Sequence, residues 1–357
     1  MSASALPRLY FGTMTFGWSN SSKLINEQGA LEMLKLVQSR GINHFDSARI
    51  YAGGKTETIL GHCFGQLQQE DGSSFRAKSI ITSKVHPSQP AGLSARGIRD
   101  QLQASLDAMG LAYVDELYLH QPDTEHPLTE SLEAADMCVK DGLVKRIGMS
   151  NYHEIEVQRA IELCNEHSWT CPTIYQGLYN PLNRRVEQTL LPVLRANKID
   201  FVAYNALAAG LLTGKHQSHK AESGDDVLPG RFKNNDNYLP RFYTDANFLA
   251  IETIQAALPA GMDLITATYT WLRRHSSLMS TDGILLGASS LEQLDSNLAA
   301  CEAAEHCEAL SEQLLLAFDQ AWEISRDGAF PYWRGYSLDQ PGRDELDPGA
   351  SYSAVKK

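Results

Sequence analysis

Short apolar runs alternate with longer amphipathic stretches through most of the chain, the pattern of parallel strands joined by crossover helices. Eight runs read as strands: LYFG (9–12), INHFD (42–46), SIITSK (79–84), VDELYLH (114–120), KRIGMS (145–150), TIYQG (173–177), DFVAY (200–204) and GILLGA (283–288). Between them, apolar residues recur at helical spacing. Ala30, Leu34 and Val37 share a face ahead of Gly41, which suits a left-handed helix end, and Ser94 is placed to cap a helix that turns Ile98, Leu102, Leu106 and Met109 inward. Leu291, Leu294 and Leu298 form a stripe behind Ser289 and Ser290, and residues 186–197 and 248–275 also read as helix. Eight strand–helix units predict an α/β fold of one domain, a closed (β/α)8 TIM barrel. An open nucleotide-binding sheet normally carries G-x-G-x-x-G after its first strand, and that motif is missing here.

The segment 207–247 is long, polar and rich in glycine, so it reads as an insertion between the seventh strand and its helix. In a barrel such an insertion lies over the C-terminal face, where catalytic groups gather. Residues 1–335 are expected to form the barrel, and 336–357, acidic and containing Pro and Gly, a loose C-terminal tail.

With 357 residues, 43% apolar and 21% charged, the chain is long enough to bury a large core, which excludes a disordered or fibrous protein. Its 31 Lys and Arg stand against 43 Asp and Glu, and the net charge of −12 predicts neither a nucleic-acid nor an anionic-membrane partner. No apolar run approaches the roughly 18 residues that span a bilayer, and MSASALPRLYFG lacks the pattern of a secretory signal, so a cytoplasmic protein is expected. The six cysteines form no CxxC pair and no zinc-type cluster with histidine, which predicts reduced thiols and no metal site.

Ionisable residues recur at the C-terminal ends of successive predicted strands: Asp46 after INHF, Lys84 after IITS and His120 after ELYL. Tyr51 follows in DSARIYAGGKTE. A tyrosine, with its ordinary pKa of about 10, is a poor acid at neutral pH unless a nearby cation stabilises the phenolate. Lys84 supplies that cation in one physical scheme, Asp46 holds Lys84 charged and in place, and His120 exchanges a hydrogen bond with the substrate oxygen. Together the four make a proton-donating carbonyl pocket, the complement of a hydride donor.

The stretches GINHFDSARIYAGGKTETILG, TSKV, DELYLHQPD, RIGMSNY, YQGLYN, AYNALAAGLLTGK and LLGASSLEQLDSNL resemble the aldo-keto reductase superfamily, most of all its aflatoxin-aldehyde reductase branch, over about residues 8–335. The resemblance implies hydride transfer from NADPH to a small-molecule aldehyde or ketone, with Tyr51 as general acid beside Asp46, Lys84 and His120. It implies that Ser150, Asn151 and Gln176 bind the nicotinamide carboxamide and that Tyr204 stacks on the ring. Asn205, Leu207, Gly210, Leu211 and Lys215 correspond to the pyrophosphate loop, and Gly287, Ser289, Gln293 and Asn297 to the last strand-to-helix turn, which holds the adenosine phosphate. Arg231, in GRF, is the candidate for the 2′-phosphate. Met14, Trp18, His86, Tyr179, Tyr238 and Trp333 are candidates for the substrate wall. PYWR resembles a family ending in which Arg334 meets a substrate carboxylate, although here 23 residues follow it. The chain departs from the branch at Ala206, where a proline is usual. The branch often forms homodimers. Two alternatives share this resemblance: a nucleotide-binding regulatory subunit of the channel-β type with little turnover, and a narrow tailoring reductase of a biosynthetic pathway.

Overall fold

The computed structural model describes residues 5–19, 23–71, 75–216, 232, 235, 238–307 and 309–350. Eight parallel strands close in sequence order into one barrel: β1 (Arg8–Gly12), β2 (His44–Asp46), β3 (Ile80–Val85), β4 (Val114–Leu119), β5 (Val144–Ser150), β6 (Ile174–Leu178), β7 (Asp200–Tyr204) and β8 (Gly283–Leu286). Closure comes where β8 pairs with β1, Arg8 opposite Gly283 and Phe11 opposite Leu286. Each predicted strand is present. Parallel strands are buried on both faces, one by the barrel interior and one by helices, so they read as nearly continuous apolar runs.

The helices are α1 (Glu27–Ser39), α2 (Lys55–Asp71), α3 (Phe75–Lys78), α4 (Ala95–Met109), α5 (Leu128–Lys140), α6 (Glu154–His167), α7 (Leu190–Ala196), α8 (Leu239–Phe242), α9 (Asp245–Ala256), α10 (Leu264–Arg274), α11 (Leu291–His306) and α12 (Glu312–Ser325). Ser94 caps α4 by accepting from the Gly97 N–H, and Ser290, rather than Ser289, caps α11. The single helix expected over 248–275 is two, because Pro259 and a left-handed Gly261 (φ +86°) break it between α9 and α10. The stretch 186–197 is a 3-10 turn at Arg185–Glu187 followed by α7.

Most apolar side chains pack between strands and helices in one large core. A small second cluster of Tyr10, Tyr118, Ile174 and Val202 fills the barrel axis. Two glycines make room for its rings: a Cβ on Gly148 would stand 2.5 Å from the Tyr118 ring, and one on Gly283 2.4 Å from Tyr10. All six cysteines are free thiols. Among the described residues no group of side chains could hold a metal ion, and no helix is long and apolar enough to cross a membrane.

The C-terminal segment differs from expectation. Residues 336–350 are docked, with Ser337 donating its N–H to Glu156 (2.8 Å) and Leu338 to the Asp123 carbonyl (3.0 Å). Buried polar partners on α6 and on the loop after β4 tie the tail down, and composition alone does not reveal them.

Candidate active site

A cavity of about 880 Å³ opens at the C-terminal ends of the strands, roofed by the first part of the 207–247 insertion. Asp46 ends β2, Lys84 lies at the end of β3 and His120 follows β4, so the barrel brings to one floor side chains that are far apart in sequence. Tyr51 enters from the tight turn after β2. That turn passes through left-handed Ala52, Gly53 and Gly54; a Cβ on Gly54 would collide with the Arg49 guanidinium, which pairs with the buried Glu57 at 2.5 Å. The turn that presents Tyr51 is thus held by an ion pair to a buried carboxylate in the first turn of α2.

Lys84 is wholly buried and Asp46 nearly so. The Lys84 Nζ donates to both Asp46 carboxylate oxygens at 2.7 Å, to the Ser47 carbonyl at 2.8 Å and to the Tyr51 hydroxyl at 3.3 Å. Burial draws the Lys84 pKa below its ordinary value, and the Asp46 carboxylate opposes that shift. Removing either partner would leave an uncompensated charge in the core. The His120 imidazole packs edge-on against Tyr51, with ring centroids 5.9 Å apart. Its pKa is pushed well below the usual range by burial and then by His86, Lys84 and Arg334, so at neutral pH the ring is uncharged. A neutral imidazole has one ring N–H to donate in a hydrogen bond.

The floor continues through residues not used by the four. Gln176 donates to Asp46 Oδ1 at 2.8 Å, which ties β6 to the ion pair and leaves the Gln176 carbonyl oxygen as an acceptor. Asn151, in a left-handed conformation (φ +61°), donates to the His120 carbonyl and to Ser150 Oγ, and its Oδ1 accepts from the Tyr204 hydroxyl at 2.8 Å. Its amide is therefore occupied inside the protein. Ser150, Gln176 and Tyr204 line the cavity beside it.

Along the insertion, Asn205, Leu207, Gly210 and Lys215 reach the cavity, whereas the Leu211 side chain is buried in the apolar core beneath them. Asn205, Ala208, Ala209 and Gly210 all have positive φ, a run of left-handed backbone of the kind that forms anion-binding concavities. Ala206, in place of the usual proline, also faces the cavity. At the β8 end lie Gly287, Ser289, Gln293 and Asn297. Ser289 donates its N–H and its hydroxyl to the Gln293 side chain, and Asn297 donates to the Gly287 carbonyl. Arg231 lies outside the described residues.

Met14, Trp18, His86, Tyr238 and Arg334 are on the cavity wall. Tyr179 is not brought there: it is fully buried, its hydroxyl donates to Glu187 and its ring packs on Phe201 and Trp271. Trp333 also turns away, donating its indole N–H to the Asp347 carbonyl while packing on His153. The sequence reading passed over Thr15, whose hydroxyl binds the Ala288 carbonyl at 2.7 Å, and an aromatic group of His216, Phe232, Phe242 and Phe330 at the mouth. The one available signal was the density of rings in 230–243 and in AFPYW.

A closed parallel barrel whose C-terminal face holds a buried lysine–carboxylate pair, a tyrosine and a neutral histidine defines a barrel oxidoreductase acting on carbonyl groups. The model of the Aldo/keto reductase family matches residues 8–312. Aflatoxin B1 aldehyde reductase member 2 of Rattus norvegicus is 35% identical over 339 residues, 92% of this chain and 88% of that protein. Aldo-keto reductase family 7 member A3 of Homo sapiens is 34% identical, covering 92% and 98% respectively, and L-glyceraldehyde 3-phosphate reductase of Escherichia coli O157:H7 is 32% identical, covering 83% and 84%. The chain belongs to the aldo/keto reductase family.

Proposed function

We propose that the protein reduces a small-molecule aldehyde or ketone to the alcohol with NADPH, and that Tyr51 gives the proton to the carbonyl oxygen. The observation that carries this reading is the Tyr51–Lys84–Asp46 chain of contacts beside an uncharged His120.

The cavity fits a nicotinamide dinucleotide. A Cβ on Gly287 would meet no protein atom within 4 Å, so the backbone there is bare toward open space, as close approach of a phosphate requires. The left-handed backbone at Asn205 and at 208–210, with Lys215, suits a pyrophosphate, Tyr204 offers an aromatic face, and Ser150 and Gln176 suit a primary amide. When bound, such a cofactor supplies hydride to the carbonyl carbon. NADPH over NADH is part of the same proposal.

The chain's own residues do the rest. Tyr51 donates its hydroxyl proton to the carbonyl oxygen as charge builds there, and the adjacent ammonium of Lys84 stabilises the phenolate left behind. Asp46, gripped by Lys84 and Gln176, fixes the ammonium. His120, uncharged, orients the carbonyl oxygen by a hydrogen bond. The aromatic side chains at the mouth and the described start of the insertion narrow the access of water, which strengthens each of these interactions.

Replacing Tyr51 by Phe tests the assignment. Turnover of 4-nitrobenzaldehyde with NADPH, followed by nicotinamide absorbance, is expected to fall by about 10²–10⁴-fold, with NADPH affinity retained. A Phe variant that keeps most of its turnover removes Tyr51 as the acid.

A further inference from the structure

Two ring nitrogens at the cavity floor are buried without a hydrogen-bond partner among the described residues: His86 Nε2 and His120 Nδ1. They belong to neighbouring rings. His86 directly follows β3 and His120 directly follows β4, and the register that pairs Val85 with Leu119 brings the two side by side. Their rings meet edge to face, 89° apart with centroids at 5.0 Å, and both line the cavity.

The hydrogen of the His86 ring is placed by its surroundings. The Ser88 backbone N–H donates to His86 Nδ1 at 3.0 Å, and the Ser88 hydroxyl lies 2.8 Å from the same atom. A backbone N–H can only donate, so Nδ1 is bare and the neutral ring carries its hydrogen on Nε2. Burial, then the charge of Arg334, lowers the His86 pKa to about 4 and keeps the ring neutral. Gln121 opposes that shift from close by, yet it is not aligned as an acceptor for Nε2, and its Oε1 takes the Arg334 guanidinium at 3.3 Å. The main chain is fixed as well: the His86 N–H donates to Gln101 Oε1 at 2.8 Å, and Gln101 donates in turn to the Gly92 carbonyl at 2.9 Å.

His120 offers the complementary group. A hydrogen on its Nδ1 would be a buried donor without an acceptor, set against the N–H of His86, and would leave Nε2 unable to donate. With Nδ1 bare, the same ring is an acceptor for His86 and a donor through Nε2. We infer that His86 is a positioning residue for the reduction: its Nε2–H is directed to His120 Nδ1, which fixes the His120 ring and holds its hydrogen on Nε2, where it meets the carbonyl oxygen. The two rings are in contact short of full hydrogen-bond alignment, and active-site bonds of this kind tighten as substrate binds. The inference rests on the reading of this cavity as the carbonyl-reducing site. In this role His86 acts through His120 and not on the substrate.

The test uses the full-length enzyme with heavy nitrogen in its histidines, and NMR correlation of ring nitrogens with ring C–H protons, which separates protonated, hydrogen-bonded and free nitrogens. The His120 signals are those lost in His120→Asn. In the wild type, His120 is expected with a protonated Nε2 and with Nδ1 as a hydrogen-bonded acceptor. In His86→Leu the Nδ1 signal is expected to move to that of a free acceptor, and kcat for 4-nitrobenzaldehyde to fall about tenfold with KM for NADPH within about twofold of the wild type. His86→Gln, whose terminal amide places an N–H near the former Nε2–H, is expected to return the signal and most of kcat. A protonated Nδ1 on wild-type His120, a His120 Nδ1 signal that does not respond to His86→Leu, or equal kcat losses in the Leu and Gln variants overturns the inference. Should His86→Leu fail to fold, His86→Phe, a ring without an N–H, is read by the same two measures. Failure of the parent reading shows separately, as retained turnover in Tyr51→Phe, while the His120 signals are read without any turnover.

Discussion

Glu156 sits on α6 with no solvent exposure. Its Oε1 accepts the Ser337 N–H, and its Oε2 has no hydrogen-bond partner. Burial, only partly offset by Ser337 and Arg159, raises its pKa from 4.5 to about 7. Between those values the folded protein holds a proton that the unfolded chain has released, so this group's contribution to stability falls as pH rises through the window and is at its lowest above 7. At about 1.4 kcal/mol per pH unit, the full cost is about 3 kcal/mol. Glu156→Gln keeps an acceptor for Ser337 and cannot ionise. The variant should therefore gain about 3 kcal/mol on the wild type between pH 4.5 and 8. For 357 residues the unfolding entropy is about 0.75 kcal/mol/K, so the gain reads as about 4 °C in Tm. The assay is thermal unfolding by circular dichroism of both proteins across that range, taking the difference in Tm at each pH. His44 and His86, whose pKa values burial lowers to about 4, act in the opposite direction: their contribution is lost as pH falls below 6.5. Both are common to the two proteins and cancel in the difference. A difference that stays flat within a degree, or that falls with pH, refutes the reasoning.

Other outcomes follow from single contacts. Lys84→Met, which leaves the Asp46 carboxylate buried without its ion partner, should cost about 3–5 kcal/mol and abolish turnover, and adding Asp46→Asn should recover part of the stability in urea unfolding; additive losses would count against a coupled pair. Gly148→Ala should destabilise by about 1–3 kcal/mol because its Cβ meets the Tyr118 ring, and Tyr118→Leu should relieve part of that loss in the double variant; a neutral Gly148→Ala would show that the barrel axis has slack.

Fold and floor were legible for a common reason. The eight strands announce themselves because a strand buried on both faces must be apolar along its length, and Asp46, Lys84 and His120 announce themselves as charged or polar residues ending such runs. Given a parallel barrel, strand ends meet at one face, so their convergence follows from local pattern plus topology. Caps at Ser94 and Ser290 are likewise local chemistry; the break at Pro259 and Gly261 is local too, but the reading of 248–275 as one helix missed it.

Tertiary structure decided whatever depends on partners distant in the chain. Tyr179 and Trp333 sit in motifs that point to the cavity, but a ring goes where it can both pack and satisfy its polar atom, and those places were set by Glu187 and Asp347. The Gln176–Asp46 bond spans 130 residues and the bond from the Leu128 N–H to Asp339 spans 211. Pro127 gives α5 no side-chain cap, and Asp339 accepts the Leu128 N–H and pairs with Arg159, so a segment that composition presents as loose is tied to α5 and α6. By itself the sequence determined which stretches become strands and helices and which side chains end on the catalytic face, because burial and backbone hydrogen bonding act over a few residues. Only the closed barrel decided which polar groups find one another, since each such bond is favourable only when folding has already removed both groups from water.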